Sequence, residues 1–175
     1  MTVLKRCLPC LTWLSLLLLL GACAQQQPLP SQTPRLSLPM QLHIQRHEPA
    51  ATDDWLLVIQ QEGKALRWSL FNPLGMPLAR QLLLDGRWQA DGLLPPNAEA
   101  RVLFAALLFA LSPSEQLDEL YAGKPWTSQR SRRSLVDGSS AWHVRYQEKG
   151  GFELDVGPTL TYRVAPIAPA GARQR

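Results

Sequence analysis

The sequence predicts a mainly β (α+β) domain, a curved antiparallel sheet of about seven strands with two short helices on its concave apolar face. Three observations lead there. Apolar and polar residues alternate with period 2 through short stretches separated by turn residues, as strands with one buried and one wet face do. A single helical region interrupts the strands. Within it, residues 102–111 are apolar on every side, so this helix is buried or faces an apolar space.

Alternation begins with Met40, Leu42 and Ile44 on one face and Gln41, His43 and Gln45 on the other. It recurs in Leu66, Trp68 and Leu70, in Trp142, Val144 and Tyr146, in Phe152, Leu154 and Val156, and in Leu160, Tyr162 and Val164. Residues 56–60 and 78–85 are strands with less clean faces. Asn97 is placed to cap a helix through residue 111. Ser112-Pro113-Ser114-Glu115 has the spacing of a cap, a first-position proline and a capping-box glutamate, which starts a second helix at Pro113 that stops before Gly123. At about 1.5 Å rise per residue, two such helices leave part of a wide twisted sheet uncovered. The expectation is an apolar cavity lined by Trp68, Leu70, Leu103, Leu107, Trp142 and Val144. The alternative is a close-packed core without a cavity.

Lys5 and Arg6 precede an apolar run at residues 11–20 that ends in small residues, the order of a secretory signal peptide. That run is short for a bilayer span of about 20 residues. Leu20-Gly21-Ala22-Cys23 resembles the bacterial lipobox, in which the cysteine is acylated and becomes the first residue of the mature chain. The expected organisation is a signal peptide at 1–22, a lipidated Cys23 with a flexible tether to residue 39, a domain at 40–167 and a disordered tail at 168–175. Residues 24–39 are polar and proline-rich without an apolar period, which suits a tether.

Cleavage after residue 22 removes Cys7 and Cys10 and leaves Cys23 alone, its sulfur taken by the lipid, so neither disulfide nor thiol chemistry is expected. It also removes two of the 18 Lys and Arg, leaving 16 against 14 Asp and Glu, a net charge of +2. That balance gives no argument for nucleic acid. A multiply acylated cysteine anchors stably, at roughly 0.8 kcal/mol per buried methylene. Ala24 stands where an aspartate would, by resemblance to known sorting rules, favour the inner membrane. Outer-membrane placement facing the periplasm is therefore expected.

No nucleophile elbow, phosphate-cradling loop or His-Glu-x-x-His motif is present in the sequence, and nothing recommends an enzyme or a cofactor. His43 and His47 would stand about 13 Å apart along a strand, too far for one metal ion. Arg130, Arg132 and Arg133 form a basic cluster, read as a solvated face or a contact for anionic head groups.

The most informative residues are Asn72-Pro73-Leu74-Gly75. Proline presets the first central position of a turn, and leucine resists the positive φ of a type II turn. A type I turn with Gly75 in the left-handed region fits and leaves Leu74 at the tip. Residues 59–75, ending in this turn, resemble the two strands and Asn-Pro-Leu-Gly turn of the outer-membrane lipoprotein receptor LolB family, with weaker likeness through the helices and C-terminal strands. The resemblance implies an open antiparallel half-barrel whose apolar cavity takes acyl chains, with Leu74 helping to pass cargo into the membrane. The partners it implies are membrane lipid and an acylated lipoprotein or other amphiphile, with a soluble periplasmic carrier among the candidates. The family's helix between tether and first strand has no counterpart here. The chain is also similar to a family of proteobacterial lipoproteins, so a paralogue with its own cargo is one alternative. Another is a structural or accessory envelope lipoprotein that binds a protein partner without lipid transfer.

Overall fold

The computed structural model describes residues 27–148 and 150–167. The expected signal peptide, Cys23 and the tail at 168–175 lie outside the described residues. Ten strands form one antiparallel sheet: β1 (Met40–Glu48), β2 (Ala51–Glu62), β3 (Ala65–Phe71), β4 (Pro77–Leu84), β5 (Arg87–Ala90), β6 (Trp126–Gln129), β7 (Arg132–Asp137), β8 (Ser140–Tyr146), β9 (Phe152–Val156) and β10 (Leu160–Pro166). The order is β5-β4-β3-β2-β1-β10-β9-β8-β7-β6, so the first and last strands of the chain pair at the centre and the sheet is not closed. This arrangement puts the β1–β2, β3–β4, β7–β8 and β9–β10 turns at one end and the other turns at the opposite end.

The sheet has ten strands where about seven were expected. The additions are β5, β6 and β7. β5 and β6 are edge strands of four residues each, too short and polar for periodicity to reveal them. Turn chemistry makes β5: Asp85 (φ 49°) and Gly86 (φ 69°) form the two-residue link between Leu84 and Arg87, the left-handed pair of a type I′ hairpin.

Helix α1 (Ala98–Leu111) starts where expected, with Asn97 Oδ1 accepting from the Ala100 N–H at 2.9 Å. Residues 103–109 are all fully buried. Phe104 meets Trp68 of β3 and Trp88 of β5 at centroid distances of 5.4 and 5.8 Å, while Phe109 meets Trp142 of β8 at 6.2 Å and Tyr121 at 5.2 Å. Strands from both halves of the sheet therefore surround the helix, which explains why it has no polar stripe. Its N-terminal turn is tied to the sheet by Glu99, which accepts from Arg46 of β1 and from the Tyr162 hydroxyl of β10.

The second helical segment is a 3₁₀ turn, Ser114–Gln116, followed by α2 (Leu117–Leu120). Ser112 does not cap it as expected. Its buried hydroxyl turns back to donate to Leu108 O at 2.7 Å, because Ser112 ends α1. Arg133, expected at the surface with Arg130 and Arg132, is also turned inward. Its guanidinium donates to Ser112 O at 2.6 Å and Ser114 Oγ at 2.6 Å, with longer contacts to Phe109 O and Ala110 O, and lies 5.1 Å from the Tyr146 ring centroid. The cation thus satisfies the carbonyl end of α1, where the helix dipole favours positive charge. Tyr146 donates to Ala110 O at 2.6 Å, and burial pushes its hydroxyl pKa up to about 12. Replacing Arg133 by Ala is expected to cost about 2–4 kcal/mol, from lost charge-assisted bonds and orphaned carbonyls. Urea denaturation measures it, and Arg133→Lys should recover part of the loss.

The segment expected as a free tether is, over residues 27–39, a strap on the domain. Pro28, Pro30 and Pro34 are buried, and Leu29, Leu36 and Leu38 pack against the core. The Ser31 N–H donates to Leu120 O at 2.8 Å, Gln32 Nε2 to Glu119 Oε1 at 2.7 Å, and the Arg35 N–H to Gln116 Oε1 at 3.1 Å. Gln27 Oε1 accepts from the Ser140 hydroxyl at 3.1 Å. Pro30 O comes so close to Gly86 that a Cβ there would sit 3.1 Å away. Prolines fix an extended path at little conformational cost, and three leucines supply the apolar surface that a polar tether lacks.

On the outward face of β8–β10, Arg145 pairs with Glu153 and Asp155, and Arg163 pairs with Glu153. Bonds from Arg145 and Arg163 hold Glu153 below the usual carboxylate range. For Asp155, burial pushes upward, but bonds from Arg145 and Thr161 outweigh it and the net shift is downward. Depressed folded-state values stabilise the fold above the ordinary carboxylate pKa of about 4 and cease to do so as pH falls through them. Thermal melts should therefore show a plateau above about pH 5 and a falling midpoint below about pH 4. Arg145→Met should flatten that decline.

Candidate functional site

The turn between β3 and β4 is built by one side chain. Asn72 Oδ1 accepts from the N–H groups of Leu74 at 3.0 Å and Met76 at 2.9 Å. The Gly75 N–H donates to Asn72 O at 3.0 Å, and the Asn72 N–H donates to Met76 O at 3.0 Å. Gly75 takes φ 78°, a conformation that side-chain-bearing residues rarely adopt. Pro73 fixes the position before Leu74. The result is a hairpin tip whose backbone bonds are locally satisfied and whose leucine has nothing to pack on. Leu74 is 84% exposed and Met76 57%.

The six residues expected to line a cavity fare differently. Trp68, Leu70, Leu103, Leu107, Trp142 and Val144 all belong to one cluster of buried side chains and are at most 1% exposed. This corrects the expectation of uncovered apolar surface: α1, α2 and the strap together fill the space that two helices alone would leave. Hollows of about 450 and 290 Å³ open on the opposite, solvent-facing side of the sheet. Thr127, Arg132, His143, Arg145 and Asp155 line the larger, whose rim is polar; of the six, only Val144 reaches it.

His43 Nε2 donates to Asp54 Oδ1 at 2.7 Å across the β1–β2 ladder, and the His47 ring meets the Thr52 hydroxyl. This acidic partner for His43 was not evident from the sequence; the bond from His43, then one from Gln45, lowers the Asp54 pKa. Among the described residues no group of three or more His, Cys, Asp or Glu is placed to hold a metal ion. No helix among them is long and apolar enough to cross a membrane.

Two exposed apolar residues escaped the sequence reading. Met76 follows the turn directly. Leu93, in the loop between β5 and α1, is fully exposed. Its signal was an apolar pair, Leu93-Leu94, between Gly92 and Pro95-Pro96, where loop chemistry calls for polar residues.

No model of a known protein family matches the chain, and comparison with curated proteins finds no significant match.

Proposed function

We propose that this chain is a LolB-like carrier: an outer-membrane, periplasm-facing lipoprotein, anchored through Cys23, that takes up acyl chains and passes them to the bilayer. The observation that carries the reading is Leu74, held outward on a turn whose hydrogen bonds Asn72 and Gly75 complete. Burying one leucine contributes about 1.5–3 kcal/mol, too little to anchor a protein but enough to favour a brief touch on lipid. The open sheet is read as a half-barrel plugged by α1, α2 and the strap. Its interior is filled as it stands, so acyl chains enter only if a plug moves. The strap is the part suited to leave, since it adds no strand to the sheet and, beside the apolar packing of its prolines and leucines, its segment 31–35 meets the helical region through four hydrogen bonds. Exchange then needs no covalent chemistry, because apolar burial drives it in either site.

The test is uptake of a fluorescent fatty acid by the protein and its release to acceptor vesicles. Saturable uptake followed by release supports the proposal, and absence of uptake after the strap is loosened by Leu36→Asp contradicts it.

The filled interior favours a second reading, an accessory envelope lipoprotein that binds a protein partner and carries no lipid. In that case neither uptake nor release occurs, and Leu74 substitutions leave the envelope phenotype unchanged.

A further inference from the structure

We infer that the loop at residues 91–97, with Leu93 at its tip, is a second membrane contact that seats beside the Leu74 turn on an anionic phospholipid surface. The inference rests on the membrane-contact reading of Leu74. β5 runs toward the end of the sheet that carries the β3–β4 turn, with Ala90 opposite Gln81. The loop continues the same way along β4, since Asn97 Nδ2 donates to Leu78 O at 3.3 Å. The ends of the loop, Asp91 and Asn97, are therefore tied to β4 at Arg80 and Leu78, next to the turn that carries Met76. Among the described residues, three of the five exposed large apolar side chains belong to these two segments: Leu74 and Met76 to the β3–β4 turn, and Leu93 to the loop that follows β5 toward the same end of the sheet.

The loop is also held in place. The Asp91 carboxylate receives Arg67 at 2.8 Å and Arg80 at 3.1 Å, and Asn97 caps α1 at the far end. Two prolines, Pro95 and Pro96, restrict the chain between them. A fully exposed leucine on so fixed a base loses little freedom when it enters lipid, and each leucine buried raises partitioning roughly ten- to a hundredfold.

Charge and chain length name the occupant. The exposed Arg101 shares a small hollow with Leu94, Pro95, Pro96 and Asn97, and among the described residues its guanidinium has no carboxylate partner. An exposed cation at the foot of this loop matches an anionic bilayer surface. Gln27 is bonded to Ser140, the first residue of β8, at this same end of the sheet. Four residues of chain span at most about 14 Å, so a lipid on Cys23 starts within that reach of Gln27.

Single cysteines at Leu93 and at Leu74, placed in the full chain, are labelled with an environment-sensitive fluorophore, with the unsubstituted chain as blank. The protein is reconstituted into vesicles of phosphatidylcholine alone or with phosphatidylglycerol. A blue shift at both positions, quenched by a lipid-borne quencher, greater with phosphatidylglycerol and reduced at position 93 by Arg101→Glu, is expected. A probe that stays aqueous at 93 while 74 enters lipid overturns the second contact alone. Aqueous probes at both positions overturn the reading of Leu74 as well. Equal signals in the two vesicle types overturn the anionic preference.

Discussion

Leu74→Glu is expected to reduce release of bound fatty acid to acceptor vesicles by at least about tenfold while leaving uptake and thermal stability unchanged. The reason is the separation of the turn from the core. Leu74 contributes no packing to lose, its backbone N–H bonds to Asn72 whatever its side chain, and surface substitutions of this kind usually shift stability by less than about 0.5 kcal/mol. What changes is the transfer term for the tip: about 1.5–3 kcal/mol of favourable apolar burial is replaced by the cost of bringing a carboxylate to the lipid surface. A factor of ten corresponds to about 1.4 kcal/mol, so tenfold is the lower bound. Leu74→Met should release normally. If Leu74→Glu transfers lipid at the parent rate, the turn is not the point of contact.

The second large effect is at the middle of α1. Phe104→Ala is expected to destabilise the domain by about 3–5 kcal/mol and to lower the melting midpoint by about 10 °C. Phe104 is fully buried and fits between Trp68, Trp88 and the rest of α1. Rigid indoles on two strands cannot close over the vacated space, so the cavity term adds to the lost transfer free energy. An apolar void of this kind also binds small apolar ligands. The variant should therefore take up fatty acid faster than the parent despite its lower stability, read by denaturant melts beside fluorescent uptake. A loss below about 1 kcal/mol would mean that α1 is not packed as described.

Much of the sheet was legible because burial imposes alternation. β1, β3, β8, β9 and β10 all have an inward row of Leu, Ile, Trp, Val or Tyr that the period reveals. The all-apolar stretch of α1 was equally plain, since only a helix enclosed by other elements can dispense with a polar face. Short edge strands were not legible by this route. β5 and β6 have one partner each and little inward surface, and their evidence was the left-handed turn residues, Asp85-Gly86 in particular. Arg133 was misread because three arginines within four residues have the look of a solvated face. Its inward turn depends on the C-terminus of α1 ending beside β7, a tertiary fact that no local pattern contains. The strap was misread for a related reason: proline-rich composition predicts lack of regular structure, and this segment docks without forming any. The turn at Asn72 was the most legible feature of the candidate site, because each of its four residues has a distinct stereochemical role. Leu93 could have been found by asking why a loop contains two leucines.

Whether the space between the open sheet and its helices accommodates acyl chains, as proposed, is tested most directly by native mass spectrometry of the full chain extracted from bacterial membranes in mild detergent. A population heavier than the covalently lipidated chain by the mass of one acyl species, which disappears on mixing with acceptor vesicles, is expected. A single mass equal to the lipidated chain, unchanged after incubation with excess fatty acid, would contradict it.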